Sequence, residues 1–246
     1  MTAGVAVQMT AFGISSLFAL FRLPDAIRGR NRMMFACMVL ISVSVGLSLP
    51  AIYTAVDPLV GGVNIANLFL RMALYGVFVI LGVRGAAAFG ADWAKKLIIG
   101  PVGLVVLGII VALTVGFFVA SDLPATSTSL YAYDDQVSVQ VYAMLGRLYP
   151  AYVAACVCAP ALAASRNTCY RLPHRIGAGL MGIGLAIVVV FTALALVADL
   201  GAFMLLLPFS AVILVTVGLA IMWASHRRQM IRPRPSPLAE SYRNVS

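Results

Sequence analysis

The chain has 246 residues, of which 62% are hydrophobic and only 10% charged, with a mean hydropathy of +1.02 and a formal charge of +9. A soluble domain carries roughly 25% charged residues, so this composition excludes one and points to a chain that lives in lipid. Nucleic acid is not the partner the positive charge implies. The charge is confined to alternate connections, the signature of membrane topology, and favours the anionic inner leaflet instead.

Seven apolar runs follow one another: Val5–Phe21, Met33–Ala55, Ile65–Val83, Leu97–Ala120, Val137–Ala163, Ile176–Ala198 and Ala202–Trp223. Most reach the ~20 residues that a helix needs to cross about 30 Å of hydrocarbon. Each must satisfy its own backbone, and none shows the alternation of a barrel strand, so the expected fold is all-α with seven transmembrane helices.

Orientation follows from the charges. Arg22, Arg28, Arg30 and Arg32 are read as the first connection, Arg84, Lys95 and Lys96 as the third, and Arg166, Arg171 and Arg175 as the fifth. The connections between them carry Asp57, Asp122, Asp134, Asp135 and Asp199 and no basic residue. The N-terminus is therefore expected outside and the C-terminus in the cytoplasm of a bacterial inner membrane. No basic residue precedes the first run, so it reads as an anchor rather than a cleaved leader. The domain reading is one membrane domain over residues 1–225. A basic tail follows over 226–246, where Arg232-Pro233-Arg234-Pro235-Ser236-Pro237 opposes helix and predicts disorder.

Two arginines lie inside runs. Asn67, Arg71 and Tyr75 recur every four residues and share one face of the third helix. An arginine at mid-bilayer costs roughly 2.5–3.5 kcal/mol on insertion scales, so that stripe should face the bundle. Arg147 lies ~15 Å into the fifth helix, on the side of Gln136 and Gln140 and opposite Tyr142, Tyr149 and Tyr152. Pro150, one turn on, frees a backbone carbonyl and can bend the helix. The candidate ligand site is thus Arg71, Arg147, Asn67, Tyr75 and Gln140, open to the outside and suited to an anion. The competing reading pairs each arginine with an outer acid such as Asp57 or Asp199, or with free backbone carbonyls, or lets Arg71 snorkel to the outer interface.

Other signals carry less. Gly177-Ala178-Gly179-Leu180-Met181-Gly182 spells a nucleotide-loop pattern, but inside an apolar run with no preceding strand it reads as helix-packing surface. Cys37, Cys156 and Cys158 fall in spans and Cys169 in an inner connection, so no disulfide, metal or cofactor is expected. No span holds Asp, Glu, His or Lys away from its ends, which leaves no catalytic residues and argues against an enzyme. Rhodopsins share seven helices and an outer N-terminus, but the seventh run has no lysine for a retinal Schiff base.

Arg22-Leu23-Pro24-Asp25-Ala26-Ile27 echoes Arg171-Leu172-Pro173-His174-Arg175-Ile176, a spacing compatible with parallel repeats about a fourth helix, as in the SWEET sugar transporters. A broader resemblance rests on the basic first connection, on Leu49-Pro50-Ala51-Ile52-Tyr53-Thr54-Ala55-Val56-Asp57-Pro58, and on Val63-Asn64-Ile65-Ala66-Asn67-Leu68. Over Arg22–Arg228 the chain resembles uncharacterised actinobacterial seven-span membrane proteins described as candidate transporters. These usually continue into a soluble C-terminal domain, whose role is expected to be absent here. The resemblance implies transport and assigns no substrate residues.

Two functions follow as expectations. One is a transporter or a bundle binding a small anion or lipid. The other is a non-catalytic sensor or interaction subunit, with a protein partner on residues 121–136. The threading is tested by single cysteines in a cysteine-free background. Tyr131→Cys should react with an impermeant maleimide on intact cells, and Arg30→Cys only after permeabilisation; the reverse pattern would invert the topology.

Overall fold

A computed structural model describes residues 3–231, and every described regular element is helical. The sequence predicts a disordered tail from residue 226, but the last helix runs on through 226–231, and residues 232–246 lie outside the described residues. Nine α-helices follow in order: α1 (Ala3–Ile27), α2 (Arg32–Leu47), α3 (Pro50–Val56), α4 (Ile65–Ala88), α5 (Asp92–Ile99), α6 (Pro101–Val119), α7 (Val137–Arg166), α8 (Leu172–Ala195) and α9 (Phe203–Ile231). Short 3-10 turns occupy Asp57–Val60 and Thr128–Tyr133. Six helices are long and apolar enough to cross a membrane, or up to seven if the bent pair formed by α2 with α3 and its turn is one span. This is the build of a multi-pass membrane protein.

The second apolar run is therefore not the single straight helix that its hydropathy predicts. It breaks at Leu49, and the two pieces meet at 95°. Pro50 is the cause: it opens α3 at its first position and holds Leu49 extended at φ −78°, ψ 125°, because a residue before proline is barred from helical geometry. The same device divides the fourth run, where Gly100 is extended and Pro101 opens α6. Pro24, Pro150, Pro160 and Pro208 sit inside helices that continue through them.

Neighbouring helices pack in a closed circuit, α1–α2–α4–α7–α8–α9 and back to α1, with α6 outside against α7. The centre is filled with apolar side chains, among them Met38, Leu81, Val153, Met181, Leu185 and Leu219. α6, the most apolar span, fully buries only Gly103 and Thr114; Val106, Leu107, Ile110 and Val111 pack on the core and the opposite face is left for lipid.

α8 and α9 run antiparallel in close contact, as the tight turn near Gly201 predicts. Gly177 and Gly184, two turns apart, face α9, while Gly179 and Gly182 face Ser165 and Leu162 of α7. The glycine pattern thus serves packing on two sides of one helix. A Cβ on Gly218 would lie 2.6 Å from the Gly177 carbonyl oxygen.

The first connection is shorter than the charge pattern predicts. α1 runs on to Ile27, so Arg22 is a helical residue and only 4% exposed. Its guanidinium donates to the Leu219 carbonyl at 3.3 Å and stacks on Trp223 at 5.2 Å, with Arg227 on the same ring at 5.3 Å. This arginine ties α1 to α9. The echoed motif consequently has two structural settings, the end of α1 and the start of α8, and α6 lies outside the circuit rather than between two repeats.

Gly218→Val should lower the thermal midpoint of the purified protein, since overpacking against backbone costs about 1–3 kcal/mol. Gly108→Ala, with open space beside it, should leave the midpoint unchanged.

Candidate functional site

The N-terminal end of α4 is built on one buried carboxylate. Gly61, Gly62, Val63 and Asn64 all take positive φ, at 115°, 70°, 51° and 65°. For a β-branched valine this is a strained conformation that needs outside support. Asp57, fully buried, supplies it: Oδ2 accepts the Asn64 N–H at 3.1 Å and Oδ1 the Ala66 N–H at 3.0 Å. Thr126 donates its hydroxyl to Oδ2 at 2.7 Å, from the far outer loop. The charge also faces the positive end of α4 and offsets its unpaired N–H groups.

Asn64 completes the junction. Its Oδ1 accepts from the Tyr53 hydroxyl at 3.1 Å and from the Ser127 N–H at 2.7 Å, while its Nδ2 donates to the Ala125 carbonyl at 2.9 Å. The bent segment α3, the start of α4 and the loop over residues 121–136 are thus one hydrogen-bonded cap. Tyr133 donates to the Ala125 carbonyl at 2.9 Å, and the Gln136 amide pairs with both backbone groups of Asp122.

Below the cap, the polar stripe of α4 meets the tyrosine side of α7. The Tyr142 hydroxyl donates to Asn67 Oδ1 at 2.8 Å, and the Tyr75 hydroxyl lies 2.9 Å from Thr114 Oγ1 of α6. The Tyr75 and Tyr149 rings meet edge to face at 5.5 Å. Between these contacts Arg71 lies with its guanidinium 4.9 Å from the centre of the Tyr142 ring, and it fills the space beside Gly146 where any side chain would collide with it. Its one protein hydrogen bond is a long one, 3.4 Å to the Ala143 carbonyl, and its buried Nε has no partner.

Arg147, half-buried, turns the other way, with its guanidinium 5.7 Å from the Phe191 ring of α8. The two arginines therefore flank α7 rather than share one wall. Gln140 stands apart from the others: it is exposed and donates to the Asp134 carbonyl at 2.9 Å. Of the five candidate residues, Asn67 and Tyr75 are bonded to the protein and Gln140 braces the loop. Donor capacity is left on the arginines.

Neither acid put forward as an internal counter-ion serves that purpose. Asp57 is committed to the cap, and Asp199 accepts the Gly201 N–H at 3.0 Å in the α8–α9 turn. Sequence reasoning missed Gly146, Thr126 and the structural use of Asp57. Leu49-Pro50 followed by two glycines was the available signal for a folded-back outer segment. No group of three or more potential metal ligands gathers among the described residues.

No family model matches the chain, and no curated protein or solved structure matches it either.

Asp57→Ala leaves two N–H groups and a hydroxyl without their acceptor, each worth roughly 1–3 kcal/mol when buried and unsatisfied, so a loss of about 3 kcal/mol or more is expected. Thermal unfolding of purified protein measures it, with Thr126→Val, which removes a single donor, giving the smaller drop.

Proposed function

We propose that this is a non-catalytic transporter or solute-binding bundle of a bacterial inner membrane, with an outward-opening anion site on Arg71 and Arg147. The reading takes all seven runs as crossings, with α2 as the short second span and α3 lying along the outer surface. The N-terminus is then outside and the C-terminus cytoplasmic, as the basic connections require. The resemblance to actinobacterial candidate transporters belongs to the same proposal.

One observation carries it: Arg71 has a buried guanidinium nitrogen without an acceptor, and Asp57, the acid at the start of its own helix, is already engaged. A buried guanidinium donor without a partner is expensive. A carboxylate, phosphate or lipid headgroup oxygen would supply the missing acceptor, and guanidinium suits such planar or tetrahedral oxyanions. Counting from the helix starts, Arg71 lies about 10 Å and Arg147 about 15 Å below the outer ends of α4 and α7. Gly146 matters because it alone leaves room for the Arg71 side chain.

A second reading, an interaction or sensor subunit, has its own support. Ser129 and Leu130 hold positive φ at 59° and 60°, which buries Leu130 and leaves the neighbouring Tyr131 ring 64% exposed on the outer loop. A loop held this way presents an aromatic side chain to a partner at little further entropic cost. A stoichiometric protein recovered with the detergent-solubilised chain, lost in Tyr131→Ala, would favour this reading.

The anion site is tested by titrating purified protein with the soluble anions inorganic phosphate, succinate and glycerol 3-phosphate while following thermal unfolding. At least one should raise the midpoint in the native chain. Arg71→Gln and Arg147→Gln should each cut the apparent affinity about 10-fold or more, the scale of a lost charge-assisted bond of roughly 1.5–3 kcal/mol. Gly146→Ala, which displaces Arg71 without removing charge, should behave like Arg71→Gln. An unchanged response in the double arginine variant would remove the assignment.

A further inference from the structure

At the basic end of the bundle, opposite the cap, a cleft of about 440 Å³ opens between the α4–α5 turn and the last turns of α7. Phe89, Trp93, Pro160, Ala163, Asn167 and Tyr170 form much of its wall, mixing apolar surface with polar tips. Phe89 and Tyr170 also flank the His174 ring, at 6.3 and 4.8 Å between centroids, and its Nε2 is buried without a partner.

The segments that build this cleft are strongly cationic. α5 carries Lys95 and Lys96, and Arg166 and Arg171 bracket the turn from Asn167 to Tyr170. Arg175 is anchored by donation to the Ser165 carbonyl at 3.0 Å. Over residues 84–100 and 160–176 Asp92 is the single acid. An anion is therefore the complementary occupant.

The shape of α5 says which anion. Its inward side is Ala94 and Ile98, both buried, while Trp93 is 54% and Leu97 38% exposed beside the lysines. Trp93, Lys96 and Leu97 fall on one side of the helix by their spacing. An exposed indole, an exposed leucine and a lysine together suit the layer where headgroups meet acyl chains and would be poorly placed in water. α6 begins two residues after α5 and leaves Val102, Val105 and Ile109 more than half exposed, a surface for hydrocarbon.

We infer that this cleft holds the phosphate-bearing headgroup of an anionic phospholipid, with the acyl chains lying along the exposed face of α6. Trp93 and Tyr170 sit at the glycerol level, and the lysines and arginines of α5 and the α7–α8 turn face the phosphate. A zwitterionic headgroup would bring its own cation among these groups and is disfavoured. The site is separate from the arginine pair at the outer end and does not rest on it.

Native mass spectrometry and thermal unfolding of the full chain in a neutral detergent test the inference, with phosphatidylglycerol, phosphatidylcholine and inorganic phosphate as probes. Phosphatidylglycerol should be retained and should raise the midpoint roughly two-fold or more beyond either other probe. Ala163→Trp, which fills the cleft from an exposed position, should remove most of that difference. Lys96→Gln combined with Arg166→Gln, which empties no core, should do the same. Arg71→Gln should leave it intact. Equal shifts from phosphatidylcholine or from phosphate alone would overturn the inference. So would an undiminished phosphatidylglycerol effect in both cleft variants.

Discussion

The Asp57 carboxylate is the contact on which the start of α4 and the loop folded over it depend. Four consecutive residues with positive φ turn the chain into α4, and no such turn with a valine in it would persist unsupported. One buried anion accepts from two backbone N–H groups of that turn and from a threonine 69 residues away. It needs no cation, because a helix N-terminus and three donors compensate it. The direction of α4 and the position of its polar stripe follow from this anchor.

Arginine has two contrasting roles inside this bundle. Arg22 is enclosed between α1 and α9, with a carbonyl and an indole face as partners, and it holds helices together. Arg71 also has an aromatic face, but its hydrogen bonding is incomplete. Arg147 has the ring of Phe191 for company. The difference lies in what each cation still lacks, and that deficit is what sets the outer pair apart as a candidate binding feature.

Proline and glycine divide the labour of shaping the spans. Leu49-Pro50 and Gly100-Pro101 break apolar runs that hydropathy alone reads as continuous, because the residue before each proline is extended. Pro150 and Pro160 leave α7 helical over its full length. Glycines then fix how closely helices approach: Gly177 and Gly184 admit α9, and Gly146 admits a guanidinium. With no apolar driving force between helices in lipid, such close contacts are a main source of association.

Composition and periodicity were sufficient for the all-helical class, for most of the span positions and for the inward face of Asn67, Arg71 and Tyr75, because those properties belong to single helices. The glycine pattern of α8 was legible as packing for the same reason. Partners were not legible, since they are set between helices: Asp57 with Thr126, Arg71 with Gly146, Arg22 with Leu219 and Trp223. Gln140 shared a helical face with Arg147 yet bonds to the loop above it, a choice that spacing along one helix cannot express. The 95° bend after α2 was written in Leu49-Pro50, but its outcome, a surface segment locked to α4, exists only once a distant carboxylate and loop close over it. Local backbone rules act within a few residues and can be read directly from the chain. Compensation of buried charge acts across the bundle, and only the tertiary structure decides it.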